Sequence, residues 1–123
     1  MSQGLVDRTK AFAVQAIQFC ESLPKTRSVE TISRQLLRSA MSVGANYRAA
    51  CGARSTAEFI AKLCVTREEA DETQYWLELL REATGQANAC AESLLAEAKE
   101  LTAIVTVSIR TARNNQEKKR KQT

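Results

Sequence analysis

Ile32-Ser-Arg-Gln-Leu36-Leu-Arg-Ser-Ala40-Met-Ser-Val43-Gly-Ala-Asn-Tyr47-Arg-Ala-Ala50 is the stretch from which the architecture can be read. Its apolar residues Ile32, Leu36, Ala40, Val43, Tyr47 and Ala50 recur at steps of three and four, which is one face of an α-helix. A second signal lies on the other side. Arg34, Arg38 and Arg48 cluster there with Met41 and Ala45, and Leu37 and Gly44 widen the apolar surface around the flank. A helix apolar on more than one side has more than one neighbour. A lone bundle has one core, so self-association is the economical account.

The same period extends in both directions from this helix. Upstream, Leu5, Phe12, Ala16, Phe19 and Leu23 form a face that Pro24 terminates, because proline lacks a donor and disfavours helical angles in the residue before it. Ser28 offers a cap for the second helix, and Gly52 closes it. Ser55 followed by Glu58 is a capping-box pattern. It opens a third face through Phe59, Leu63, Ala70, Thr73, Leu77 and Leu80, which Gly85 interrupts. A fourth runs through Ala91, Leu94, Ala98, Leu101, Val105 and Ser108. Four helices of about 18 to 28 residues with short connections predict an all-α, antiparallel up-down-up-down four-helix bundle. The bundle is expected over residues 1–113. Residues 114–123 contain no apolar side chain and are expected to form a disordered basic tail that begins as helix.

Composition narrows the chemistry. The chain has 123 residues, enough for one domain, and no window approaches the length of an apolar membrane span. It contains no histidine, which removes the commonest general base and the commonest metal ligand. Cys20, Cys51, Cys64 and Cys90 are too scattered for a zinc motif and are expected to be small buried thiols. The acidic run Glu68, Glu69, Asp71 and Glu72 lacks the Glu-x-x-His pattern with which bundles hold paired metals. Ser39 and Ser42 have no base beside them. Asn46, polar in mid-helix, is expected to bond across the bundle or a subunit contact. No enzyme, metal or cofactor is expected. The start, Met1 to Arg8, has no apolar signal core, so a cytoplasmic location is expected.

The net charge of +4 is unevenly spread. Residues 1–54 carry +5, residues 55–109 carry −6 and residues 110–123 carry +5. The terminal cations Arg110, Arg113, Lys118, Lys119, Arg120 and Lys121 are the candidate nucleic-acid contacts, since they could neutralise phosphates without reading bases. A solubilising terminus is the plainer reading of the same residues. On the third helix Glu68, Glu72 and Glu82 share an outward face with Tyr75 and Leu79. This acidic apolar stripe complements the basic one on the second helix. Arg34, Arg38, Met41, Arg48, Glu68, Glu72, Tyr75 and Leu79 are therefore the expected subunit interface. Such a contact is heterologous and would close into a ring.

Gln35-Leu-Leu-Arg-Ser-Ala-Met-Ser-Val-Gly-Ala-Asn46-Tyr-Arg, Arg54-Ser-Thr-Ala-Glu58-Phe-Ile-Ala-Lys-Leu63 and Glu69-Ala-Asp-Glu-Thr-Gln-Tyr-Trp76-Leu-Glu-Leu-Leu80 together resemble the 23S rRNA-intervening sequence proteins. The resemblance spans about residues 5–110 and implies a small bacterial cytosolic protein that forms cyclic homo-pentamers. It also implies a distant likeness to the accessory variability protein of diversity-generating retroelements, a basic pentamer that binds nucleic acid and a reverse transcriptase. The family pattern reads Glu-Ala after Asn-Tyr-Arg, where this chain has Ala49-Ala50, so no role of that glutamate carries over. The expected function is that of a homo-oligomer binding nucleic acid, RNA before DNA. The alternative is a scaffold for another protein with no nucleic-acid role.

Overall fold

The computed structural model describes residues 3–86 and 88–122. Met1, Ser2, Ala87 and Thr123, which the expected bundle and tail include, lie outside the described residues. Four helices account for nearly all of the rest: α1 (Gln3–Glu21), α2 (Arg27–Cys51), α3 (Thr56–Thr84) and α4 (Ala89–Gln122). No strand occurs among the described residues.

The helix boundaries follow local chemistry. Thr26, not Ser28, caps α2: its backbone is extended and its side chain accepts a hydrogen bond from Val29 N at 3.3 Å. A hydroxyl in that position satisfies one of the donors left free in the first turn. Ser55 caps α3 as its pattern indicates, accepting from Glu58 N at 3.0 Å, while the Glu58 carboxylate accepts from Arg54 N at 2.7 Å. Gly85 ends α3 at φ 70°, a left-handed conformation that costs a side chain energy and glycine little. Asn88 Oδ1 accepts from Ala91 N at 2.8 Å and starts α4.

The four helices pack around one apolar core. Phe12, Phe19, Leu36, Leu63, Leu80, Leu94, Leu101 and Ile109 are fully buried within it. Each such side chain contributes about 1.5–3 kcal/mol relative to exposure. Two faces differ from expectation in phase. Ile60 is buried where Phe59 is only half-buried, and Ile109 is buried where Ser108 is half-exposed. A step of three or of four satisfies the period equally well, so packing against neighbours chooses between adjacent candidates.

Helix α2 makes its widest contact with α3, α3 then packs on α4 and α1 on α2, and α1 and α4 touch least. Gly44 lets α2 approach α1 closely: a Cβ there would sit 3.4 Å from the carbonyl carbon and oxygen of Thr9. Between α2 and α3, the buried Thr73 hydroxyl lies 2.9 Å from Ser39 Oγ and 2.8 Å from the Glu69 carbonyl. Ser39 donates to the Leu36 carbonyl at 3.1 Å. These short hydroxyls keep their hydrogen bonds inside the core and so avoid the cost of burial unpaired.

Helix α4 continues to Gln122, through the segment whose composition reads as a disordered tail. Its last turns are exposed. Gln, Glu, Lys and Arg have good helix propensity, and Lys119, Arg120 and Lys121 lie where cations favour the helix dipole.

Candidate functional site

The α2–α3 face is a single charged network within one chain. Arg38 Nη1 lies 2.8 Å from Glu69 Oε2, and its Nη2 pairs with Glu72 Oε2. Trp76 Nε1 donates to the same Glu72 oxygen at 2.8 Å. The indole N–H, together with the guanidinium, holds the Glu72 carboxyl below its ordinary range against a modest cost of burial. Arg38 and Glu72, expected on opposite sides of a subunit contact, thus face each other across neighbouring helices of one molecule. Sequence periodicity assigned both to outward faces but carried no information on which helices adjoin.

The other expected interface residues fall around this network. Arg34 and Arg48 are exposed, Met41 is 46% exposed and Tyr75 is 56% exposed. Glu68 is exposed, whereas Leu79 is half-buried against the core edge. Tyr75 meets Trp76 edge-on, with ring centroids 5.0 Å apart. Asn46 does not reach across the bundle: its Nδ2 donates to the Ser42 carbonyl one turn back at 2.9 Å.

A second network ties α1 to α4. Arg8 Nε and Nη2 each donate to a Glu97 oxygen at 2.7 Å, and Nη2 also lies 2.9 Å from Glu100 Oε1. The paired guanidinium holds the Glu97 carboxyl below its ordinary range. Sequence reasoning passed over Arg8, and no motif marks it. Its nearer partner in sequence, Glu97, is 89 residues away.

The terminal cations Arg110, Arg113, Lys118, Lys119, Arg120 and Lys121 are all exposed on α4. A helical terminus separates them in a way that a disordered one would not. Arg110, Arg113, Arg120 and Lys121 share one side, and Lys118 and Lys119 lie roughly 80–180° around the axis from Arg110. Arg113 Nη2 lies 3.7 Å from Cys64 Sγ, and Arg120 pairs with Glu117 at 3.1 Å. Lys118 and Lys119 instead border a groove of about 1010 Å³ beside the N-terminal turns of α1. Leu5, Phe59, Ile104 and Val107 contribute its apolar surface.

The cysteines are free thiols, with Cys90 exposed and the others half-buried, so none is the fully buried residue expected. Burial still raises the Cys20 thiol above its ordinary value. Among the described residues, no group of three Cys, Asp or Glu side chains is placed to hold a metal ion. None of the described helices is long and apolar enough to cross a membrane.

These features define a small all-α protein whose polar chemistry lies on helix surfaces and between neighbouring helices. The chain belongs to the 23S rRNA-intervening sequence protein family, whose profile matches residues 3–107. It is similar to a protein of unknown function from the S23 ribosomal protein family of Bacteroides thetaiotaomicron, a crystal structure with 36% sequence identity. The two superpose with a TM-score of 0.77, over 85% of this chain and 96% of the other. No curated protein matches. The basic end of α4 lies beyond the matched residues.

Proposed function

We propose that this protein is a non-catalytic, self-assembling bacterial cytosolic bundle that binds nucleic acid, with RNA preferred, through phosphate contacts. The observation that carries the reading is the exposed cationic end of α4. Six basic side chains stand there with one acidic residue, Glu117, among them. Arg110, Arg113, Lys118, Lys119, Arg120 and Lys121 can each replace a condensed counterion without a base-reading pocket. RNA is preferred because the name of the family refers to ribosomal RNA.

An up-down-up-down course is the proposed topology. Thr9 approaches Gly44 and Cys20 adjoins Ser33, so residue numbers rise on α1 as they fall on α2. Gln74 donates to Thr102 and Arg81 to Glu92, the same opposition for α3 and α4. Self-assembly, with a cyclic pentamer as the proposed form, is supported by apolar side chains left outside: Met41, Val65 and Tyr75 are exposed on α2 and α3. The same exposed side chains favour a second reading, in which the bundle is a scaffold for another protein.

Light scattering with and without a short RNA hairpin, at low and physiological salt, tests both. The expected result is a multiple of the 13.6 kDa chain mass that takes up RNA. If all six cations contribute, log affinity falls against log salt with a slope of about −4 to −5. Removing residues 114–123 should weaken RNA binding several-fold. An assembly that ignores RNA at low salt refutes the nucleic-acid reading and leaves the scaffold.

A further inference from the structure

The groove between α1 and α4 has a distinctive chemistry: none of the residues lining it is acidic. Of its three cations, Arg8 is occupied by Glu97 and Glu100. Lys118 and Lys119 form no ion pair among the described residues. Val107, on its apolar side, is 55% exposed. Along α4 the groove extends from Ile104 to Gln122, about 27 Å at the helical rise.

A surface with the opposite character lies elsewhere on the same molecule. Val65, Glu68, Glu72, Tyr75, Leu79 and Glu82 form one stripe along α3, about 26 Å long by the same rise. Val65 and Tyr75 are exposed, and neither Glu68 nor Glu82 has an ion-pair partner among the described residues. The cation that the stripe could have drawn from α2, Arg38, is already held within the chain by Glu69 and Glu72.

We propose that the α1–α4 groove receives the α3 stripe of a second copy of this chain. The spacings agree when the two helices run in opposite directions. With Val107 set against Leu79, Thr111 falls on Tyr75 and Lys118 on Glu68. Apolar contact then covers the exposed floor, and the Glu68 carboxylate meets the unpaired Lys118 ammonium group. The two surfaces lie on different parts of the molecule, so every copy both gives and receives. This contact is heterologous and propagates into a closed ring or a filament. It rests on the self-assembly proposed above and specifies which surfaces meet. Lys118 then serves the assembly, and the nucleic-acid contacts of the assembled protein are the other five terminal cations.

The test is the mass of the full chain by light scattering and sedimentation, without RNA, for five proteins: wild type, Val107→Asp, Lys118→Glu, Glu68→Lys and the double exchange K118E/E68K. All altered side chains are exposed, and circular dichroism verifies the fold. The proposal expects each single variant to dissociate at protein concentrations at least tenfold above wild type, and the double exchange to restore assembly. A monomeric wild type refutes self-assembly itself. An assembled wild type whose mass survives Val107→Asp and Lys118→Glu refutes the groove alone. Dissociation that the exchange does not rescue refutes the α3 stripe as the occupant.

Discussion

Replacing Arg38 by Glu separates two accounts of the same side chain. Within the chain, Arg38 bridges α2 to Glu69 and Glu72 on α3. Its side chain is 47% exposed, so solvent screens both pairs and each is worth about 0.2–1 kcal/mol. Arg38→Glu removes both and places a third carboxylate beside the first two, for a total loss of roughly 1–2 kcal/mol. At this chain length that lowers Tm by roughly 3–6 °C for each kcal/mol. Arg38→Met keeps most of the aliphatic stem and should lose about half as much. The assay is urea unfolding, followed by circular dichroism and by fluorescence of Trp76, the single tryptophan, which shares Glu72 with Arg38.

Two features of the result decide the matter. An intrachain bridge gives a loss independent of protein concentration, whereas a bridge between copies gives one that grows on dilution. The penalty should also shrink in acid. The Glu72 carboxyl is held low by Trp76 and Arg38, so the pairing is complete above the ordinary carboxylate value and is lost as pH falls through the lowered one. Below that, wild type has no pairing left to lose and the variant no repulsion left to relieve. A loss of equal size at neutral and strongly acidic pH refutes the electrostatic account, and a concentration-dependent loss refutes the intrachain one.

The α1–α2 contact predicts opposite fates for two substitutions at Gly44. Gly44→Ala should be close to neutral, because a gain of about 0.5–1 kcal/mol in helix propensity offsets a Cβ at 3.4 Å from Thr9 backbone atoms. Gly44→Leu should cost about 1–3 kcal/mol by forcing α1 away, read as a lower urea midpoint. Arg8→Met should destabilise at neutral pH and match wild type in strong acid. The Glu97 carboxyl is lowered by Arg8, so its stabilisation is full above the ordinary value of 4.5 and disappears as pH falls through the depressed value. Thermal melts across the acid range measure the difference, and a gap that persists after both carboxylates are protonated would point to lost packing of the Arg8 stem.

The sequence by itself determined the number of helices, most of their buried faces and their principal stops. Leu36, Ala40, Val43 and Tyr47 lie inside, as their spacing requires, and Ser55 and Gly85 bound α3 as their chemistry requires. Family membership was also legible from the segments around Asn46, Glu58 and Trp76. These are properties of one helix at a time, because a 3.6-residue period orients each face without reference to any other.

Tertiary structure decided what adjoins what. It placed Arg38 against Glu69 and Glu72 of its own chain, brought Arg8 to Glu97, returned Asn46 to its own helix and left Phe59 on the wall of a groove beside Lys118 and Lys119. It also set Lys118 and Lys119 apart from Arg110 and Arg113 by continuing α4 as helix. A period specifies an angle about one axis. Neighbours depend on the distance and direction between axes, which packing of the whole core settles at once.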